Sequence, residues 1–401
     1  MADERLLEKI HALSDLELAA LLCLVAREHC LIGTEPDSVD ELAEELRLIA
    51  SKTFSLSSAI ISCHSHTTLD EFATGLLAAA PSPSDTRSVS PYRPRYEQPQ
   101  SSTGAPSSAS GTYFPVASAP RAVRGSLSPH IGSTIGLPSP SIGVGTSNSQ
   151  ASHQPRIANV ILAKDLDRAP RAVQIQALEL LRTRRIFTRT SVQTAPKQFL
   201  FIAVVGAASG GQSRVTPHLN DFFYLAHWHD TEEDGFPYLD EESGRLNRAR
   251  TGAGAGADEL DDGARYPASA PLFAERDISL IAQLSQQAHV DVDVTRYQMN
   301  LVSFLRTHRA VAGGVSPTAT KHLERLAKSL APLHGLDYVT PSLVALAAKK
   351  VYLHRIQVVA DPQRERSMQW GSELGAVRAL LEGVGPEEVI EDVIGLVGVP
   401  N

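Results

Sequence analysis

The sequence predicts an α/β core, a separate all-α domain near the C-terminal end, and a long disordered insertion within the core. Short β-branched apolar runs alternate with amphipathic helical stretches in residues 1–80 and 156–226, which is typical of a sheet covered by helices. Residues 81–155 are roughly half Ser, Pro or Gly and show no apolar period, which predicts disorder. Residues 276–360 carry apolar residues at helical spacing, which predicts a helical domain.

Composition excludes several classes of protein. The chain has 401 residues, with 42% hydrophobic and 20% charged residues and a formal net charge of -8, so bulk charge favours neither nucleic acid nor an anionic membrane as partner. The three cysteines, Cys23, Cys30 and Cys63, form no disulfide framework and fit a reducing compartment. Without a signal peptide or a long apolar run, we expect an intracellular protein, cytoplasmic or nuclear.

The first segment predicts alternating helices and strands. Ser14 is a good N-cap for an apolar helix over 15–27, and acids begin a second, amphipathic helix over 38–50. On that second helix Val39, Leu42, Ala43, Leu46 and Ile49 share one face. The other predicted elements are a strand at 30–32 ending at Gly33, a strand at 58–62 and a helix at 69–80.

The middle of the chain predicts the rest of the core. A strand at 158–163 precedes a helix running from Pro170 to 185. A hairpin starting with a strand over 186–192 then leads into a core strand over 198–205. Residues 227–275 are acidic and rich in Gly and Ala, and we expect a second flexible insertion there.

Four helices are predicted in the C-terminal domain, at 278–288, 296–309, 317–333 and 341–355. Ser316–Pro317 and Thr340–Pro341 each pair a hydroxyl N-cap with a proline at the first helical position, which is a strong start signal. Residues 361–401 are expected to form a tail with one further helix.

Two segments resemble the magnesium chelatase I-subunit/MoxR branch of the AAA+ ATPase superfamily. ANVILAKDLDRAP (158–170) resembles its Walker B strand and the helix start that follows, and the segment 314–356, with its string DYVTP, resembles its helical lid. The resemblance covers 15–80, 156–225 and 276–360, and implies a P-loop NTPase-like (AAA+) core with a C-terminal all-α lid.

The resemblance places the P-loop at Gly33 to Asp40. A P-loop needs glycines around the phosphates, a Lys for the β- and γ-phosphates and a Ser or Thr for magnesium. Gly33 is kept, whereas Ser38, Val39 and Asp40 stand at the second Gly, the Lys and the Ser/Thr. An ordinary strand–turn–helix that never bound phosphate is the alternative.

The Walker B-like positions are also replaced. Walker B needs one carboxylate for magnesium and a second to polarise the attacking water. Lys164 stands at the metal carboxylate and Asp165 at the catalytic Glu, followed by Asp167 and Arg168. A solvated charged loop after a strand is the alternative.

Other positions at which the resemblance implies a functional residue also carry a different residue here. The strand expected to end in a sensor Asn ends in Val204–Val205–Gly206, and Asn220–Asp221 replace the usual Asp-Arg pair. Thr318 stands at the sensor Arg of the lid.

The histidine clusters lack zinc-site spacing. His64–Ser65–His66 and His227–Trp228–His229–Asp230 have no matching Cys or His pair, so we expect surface or packing histidines and no metal site.

These observations favour a non-hydrolysing or weakly active AAA+-like subunit that works through protein–protein contacts. Through the lid it would contact itself or a partner, possibly an intact AAA+ relative, and would need no cofactor. One alternative is a divergent magnesium chelatase-type ATPase that uses ATP and magnesium for metal insertion or remodelling. The other is a non-enzymatic scaffold whose working part is 81–155.

Overall fold

A computed structural model of the chain describes residues 4–77, 156–188, 191–207, 215–251 and 271–400. The predicted disordered insertion at 81–155 lies outside these residues.

One parallel sheet organises the core. Within the described residues up to 251, the strands are β1 (Cys30–Thr34), β2 (Ser58–Ser62), β3 (Val160–Lys164), β4 (Arg185–Phe187), β5 (Val192–Thr194), β6 (Leu200–Gly206) and β7 (Leu225–Trp228). Five of them form the sheet in the order β2-β3-β6-β1-β7, with every pairing parallel. β4 and β5 form a short antiparallel hairpin outside it, so Val192 lies on the returning strand and not on the predicted first strand.

Helices cover both faces of this sheet. The helices of the core are α1 (Glu4–His11), α2 (Asp15–Ala26), α3 (Val39–Lys52), α4 (Leu69–Gly75), α5 (Arg171–Thr183), α6 (Pro217–Asn220) and α7 (Pro237–Thr251). Because neighbouring side chains of a strand point to opposite faces, Ile32 and Ile202 pack with α2 and α3. Leu31 and Phe201 pack with α4 and α5 on the other face. The predicted α/β core is confirmed.

The predicted start of α2 and the predicted core face of α3 agree with the structure, whereas the helix predicted at 296–309 begins earlier, at Val292, where Asp291 caps it. Ser14 caps α2 in a capping box with Glu17. The predicted apolar face of α3 is buried from Val39 to Ile49.

The prediction of a flexible insertion over 227–275 is wrong for its first part, which contains the end of β7 and the whole of α7. Polar contacts hold the start of α7, and for this reason no apolar pattern predicted it. The backbone N–H groups of Tyr238 and Leu239 donate to the buried carboxylate of Glu45 at 3.0 and 2.9 Å. The Tyr238 hydroxyl donates to Glu17 at 2.7 Å.

The C-terminal part is a helical lid. It contains α8 (Glu275–Gln287), α9 (Val292–Thr307), β8 (Val311–Gly313), α10 (Pro317–Leu333), α11 (Pro341–Tyr352), β9 (Gln357–Val358), α12 (Leu374–Leu381) and α13 (Pro386–Leu396). Ser316 and Thr340 cap α10 and α11 through their side chains, as predicted. None of the helices within the described ranges is long and apolar enough to cross a membrane.

Residues 361–401 are not a tail with a single helix. They contain α12 and α13, and α13 buries Val389, Ile390 and Val393 against α9 and α11. α13 begins at Pro386 with acids in its first turn, a start signal as clear as those of α10 and α11.

The lid and the core share one apolar cluster. α2 is apolar on all sides: it packs against β1, β6 and β7 and also against α8 and α10. One continuous cluster therefore runs from Leu16 of α2 through Ile32 of the sheet to Leu326 of α10. The predicted all-α lid is confirmed, but the helical period of its sequence could not show that α2 of the core covers it.

Candidate functional site

The P-loop-like segment forms a tight turn between β1 and α3. Gly33 lies inside β1, paired with Val205 and Trp228, and a 3-10 turn spans Pro36–Ser38. The Ser38 N–H donates to the Glu35 carbonyl at 3.1 Å, so it is already used within the turn. Proline has no N–H to offer. Backbone donors that a phosphate would require are therefore absent or engaged at these positions.

This turn lies directly on the end of β6. A Cβ atom added to Gly206 would come within 2.9 Å of the Pro36 Cα and 3.1 Å of the Val39 side chain. Only glycine allows so close an approach of the two backbones. Val39 itself is 5% exposed and belongs to the main apolar cluster, so the residue at the lysine position faces the core.

An ion pair joins the Walker B-like strand to the P-loop-like helix. The Lys164 ammonium, at the end of β3, contacts the Asp40 carboxylate in the first turn of α3. These are the two positions that the resemblance assigns to magnesium, through a carboxylate and a hydroxyl. The structure thus brings both predicted positions together, but with a cation in place of the metal-binding carboxylate.

Asp165 begins a second short turn. Its backbone is left-handed, with φ 51°, and its N–H donates to the Val204 carbonyl at 2.8 Å. Desolvation raises the pKa of the Asp165 carboxyl, although Arg168 lies 3.4 Å away. Asp167 and Arg168 lie in the 3-10 turn Leu166–Arg168 that follows.

A second cluster, which sequence reasoning missed, joins the core to the lid through Arg355. The Arg355 side chain is buried and donates to the carbonyls of Asp221 at 3.1 Å, Phe223 and Tyr224. Its Nε lies 3.4 Å from Asp221 Oδ1, which also accepts from the Ser316 hydroxyl at 2.5 Å. Asp221, which stands where the resemblance places the Arg of an Asp-Arg pair, is therefore the partner of a buried arginine from its own chain.

Two histidines and an amide surround this arginine. His322 Nδ1 lies 2.7 Å from the guanidinium, and Asn220 donates to the His354 carbonyl at 2.6 Å. Burial lowers the pKa of His322 to about 3 and that of His354 well below its ordinary value. Both rings are neutral at physiological pH, so neither places a positive charge beside Arg355. The sequence offered one signal: Arg355 is a charged residue directly after an apolar helix.

A cavity of about 530 Å³ lies beside this junction. Arg306, Arg355 and Arg366 line it together with His218, and no P-loop-like or Walker B-like residue does so. The cavity is therefore separate from the positions that the resemblance assigns to nucleotide.

Comparison with known proteins supports the lid and the core separately. The family model of the AAA lid domain matches residues 303–373. Chaperone MoxR1 of Mycobacterium tuberculosis is 24% identical over 256 residues, covering 62% of this chain and 59% of MoxR1. The uncharacterised protein YeaC of Bacillus subtilis is 25% identical over 210 residues, covering 49% and 60%.

A shorter match is with Maintenance of telomere capping protein 2 of Lachancea thermotolerans, 25% identical over 116 residues, which are 28% of this chain and 41% of that protein. The matches thus span between 41% and 60% of these curated relatives. The crystal structure of a candidate ATPase from Cytophaga hutchinsonii superposes with a TM-score of 0.56 at 14% identity, covering 99% of this chain and 96% of that one. Together with the parallel sheet, the lid match and the MoxR relative support an AAA+ fold of the MoxR-like type.

Proposed function

We propose that the chain is a non-hydrolysing AAA+ subunit that works through contacts with other proteins. The observation that carries the proposal is the ion pair between Lys164 and Asp40. It links the two positions that would have to hold magnesium together, so ATP-bound magnesium would have to separate an ammonium from its carboxylate.

The charges at this site oppose a nucleotide. A unit charge about 4 Å from another is worth about 4 kcal/mol at an effective dielectric of 20. Lys164 stands where a carboxylate should bind magnesium and would repel the ion by that order, whereas Asp40, which is 83% exposed, would repel a phosphate more weakly. Val39 supplies no compensating ammonium, because it is apolar and packed into the core. We expect no ATP or magnesium as resident cofactor.

The direct test is nucleotide binding and turnover by the purified full-length chain. We expect no saturable binding of a fluorescent ATP analogue with magnesium. We also expect phosphate release equal to that of a Lys164→Ala, Asp165→Asn double variant, which measures contaminating ATPase. ATP hydrolysis by the wild type clearly above that of the double variant would contradict the proposal.

The same assay decides on the second candidate, a divergent magnesium chelatase-type ATPase that couples hydrolysis to metal insertion or remodelling. Two observations favour it. The spacing from Gly33 to Asp40 is that of a P-loop, and Asp165 holds a carboxylate of raised pKa at the catalytic position. If it is correct, the double variant loses measurable activity.

Protein contact is expected through the lid, which the AAA lid model matches over residues 303–373. The partner would be a second copy or an intact AAA+ relative. Mass measurement by light scattering, with and without such a relative, tests this. If the protein is a strict monomer that binds no AAA+ protein, the remaining hypothesis is a non-enzymatic scaffold whose working part is 81–155. Deletion of 81–155 should then abolish the protein's function.

A further inference from the structure

A group of potential metal ligands lies where β7 leaves the sheet. His227 and His229 are two residues apart and share one side of the strand, with Trp228 on the other. Asp234 returns to them because its N–H donates to the Asp230 carbonyl at 2.9 Å, closing the loop after β7. Ligand atoms of His227, His229 and Asp234 all lie within 4.8 Å of one another.

The distances are close to those of a metal centre. Zinc binds nitrogen and oxygen ligands at about 2.0–2.2 Å, which separates two ligands of a tetrahedron by about 3.3 Å. His229 Nδ1 and Asp234 Oδ2 are 3.5 Å apart. The third ligand, His227, lies within 4.8 Å of both, so a small shift of the histidines would be needed, while the 44% exposed Asp234 side chain has room to follow. We propose that His227, His229 and Asp234 bind one divalent transition-metal ion, zinc being the natural probe.

The histidines are held in place by the fold. His227 is paired with Ile32 in the sheet, and the His229 N–H donates to the Gly33 carbonyl at 2.9 Å. Both side chains are buried, 6% and 2% exposed, and His227 Nε2 has no hydrogen-bond partner within the described part of the chain. Buried imidazole nitrogens without partners are costly unless something binds them.

The surroundings favour a cation. Asp230, Asp234 and Glu45 all act on His229, and Asp15 acts on His227. The counter-charge is Lys350 of α11, whose Nζ lies 3.0 Å from His227 Nδ1. Lys350 is itself influenced by Asp15, Asp234 and Glu387. Acidic groups thus outnumber the lysine around the two imidazoles.

Lys350 links this site to the lid. A metal ion on His227 Nε2 requires the ring proton to sit on Nδ1, facing the Lys350 amine. An ammonium and a ring N–H are both hydrogen-bond donors and cannot stay in contact. Binding of the metal at Nε2 should therefore displace the Lys350 Nζ from His227 Nδ1.

The test uses full-length protein without a histidine tag, dialysed against zinc and measured by elemental analysis and calorimetry. We expect one zinc per chain. Asp234→Asn and His229→Asn should each weaken binding by at least the roughly 10- to 100-fold that loss of an outer-shell partner costs. The matched control is a His64→Asn, His66→Asn double variant, which removes two exposed neighbouring histidines and should bind zinc like the wild type.

Two further readouts keep the test decisive. Zinc should raise the melting temperature of wild type but not of Asp234→Asn, whose exposed side chain leaves folding unaffected even if His229→Asn unfolds. Lys350→Met should tighten zinc binding, because it removes the competing ammonium. The proposed metal site is wrong if the wild type binds no zinc or if Asp234→Asn binds zinc fully. It is also wrong if Lys350→Met binds zinc more weakly than the wild type, or if only the His64→Asn, His66→Asn double variant loses binding. None of these outcomes depends on whether the chain hydrolyses ATP.

Discussion

Val39 stands where a P-loop carries its lysine, yet its side chain is 5% exposed at the start of α3. Both facts could be read from the sequence, since Val39 begins the apolar face of that helix. Lys164 and Asp40 could not be paired from the sequence, because they are far apart along the chain and only the sheet order brings them together. The same applies to Asp234, which a loop of unpredicted shape returns to His229.

Restoring the P-loop lysine should damage the fold. We expect Val39→Lys to lower the free energy of unfolding by roughly 2 kcal/mol or more, because it places an ammonium in the apolar cluster. Urea denaturation measures this. Asp40→Thr, the neighbouring restoration, should change stability by less than about 1 kcal/mol, since the Asp40 side chain is 83% exposed. Equal losses for the two variants would contradict the burial of Val39.

His29 should make the fold sensitive to acid. Its Nδ1 accepts from the Phe201 N–H at 3.2 Å, and burial lowers its pKa to about 3. A histidine whose folded pKa lies below the unfolded value of about 6.5 stabilises above pH 6.5 and loses that contribution as pH falls towards 3. The expected slope is about 1.4 kcal/mol per pH unit.

Unfolding free energies of wild type and His29→Gln, measured from pH 7.5 down to pH 4.5, test this. Glutamine keeps a hydrogen-bond acceptor but does not titrate. Below pH 6.5 the unfolding free energy of His29→Gln should therefore fall less steeply with pH than that of the wild type, by about 1.4 kcal/mol per pH unit. His64→Gln, at an exposed histidine, is the control and should follow the wild type. Parallel curves for wild type and His29→Gln would exclude a role for His29.

Among the elements, those with local signals were the predictable ones. α10 begins at Pro317 and ends at Leu333, as its N-cap, proline and apolar stripe predict. β7 and α7 escaped prediction because β7 has only four residues and includes a histidine, while Glu45 and Glu17 hold the start of α7. Long-range polar contacts of that kind leave no period in the sequence.

Arg355 should be the most sensitive charged residue at the junction of α11 with the core. Arg355→Met is expected to cost about 3 kcal/mol, because it leaves the Asp221 carboxylate with only the Ser316 hydroxyl and removes a buried donor from three carbonyls. Arg364→Met is the matched control, since Arg364 is 85% exposed and its contact with Asp361 is long, at 3.9 Å. Thermal unfolding measures the stability of both variants. If Arg355→Met lowers the free energy of unfolding by less than about 1 kcal/mol, Arg355 does not stabilise the junction as proposed.

For the whole molecule, the shared apolar cluster predicts one cooperative unfolding transition. Leu326→Asp buries a carboxylate in α10, where Leu326 is 1% exposed, and should cost several kcal/mol. Because α2 packs against both lid and sheet, the core should lose stability together with the lid. The sequence predicted the opposite, an independently folded 276–360 domain.

The chain offers its own reporter for this prediction. Its two tryptophans are Trp228, at the end of β7, and Trp370, which is fully exposed, so a Trp370→Phe background leaves Trp228 to report on the sheet. We expect Leu326→Asp to shift the Trp228 fluorescence transition and the circular dichroism transition in urea equally. A Trp228 transition that stays at its wild-type midpoint would mean that lid and core unfold separately.

The buried guanidinium of Arg355 has a consequence for any assembly that contains this chain. AAA+ lids normally close over nucleotide, so their angle to the core follows the ATP cycle. Here hydrogen bonds from a side chain of the same polypeptide, together with the shared apolar cluster, join the lid to the core without any ligand. In a ring of hydrolysing relatives, such a subunit would keep the same shape at every step and mark one fixed position on the circumference. Asymmetry of that kind would give an otherwise uniform ring a defined starting point.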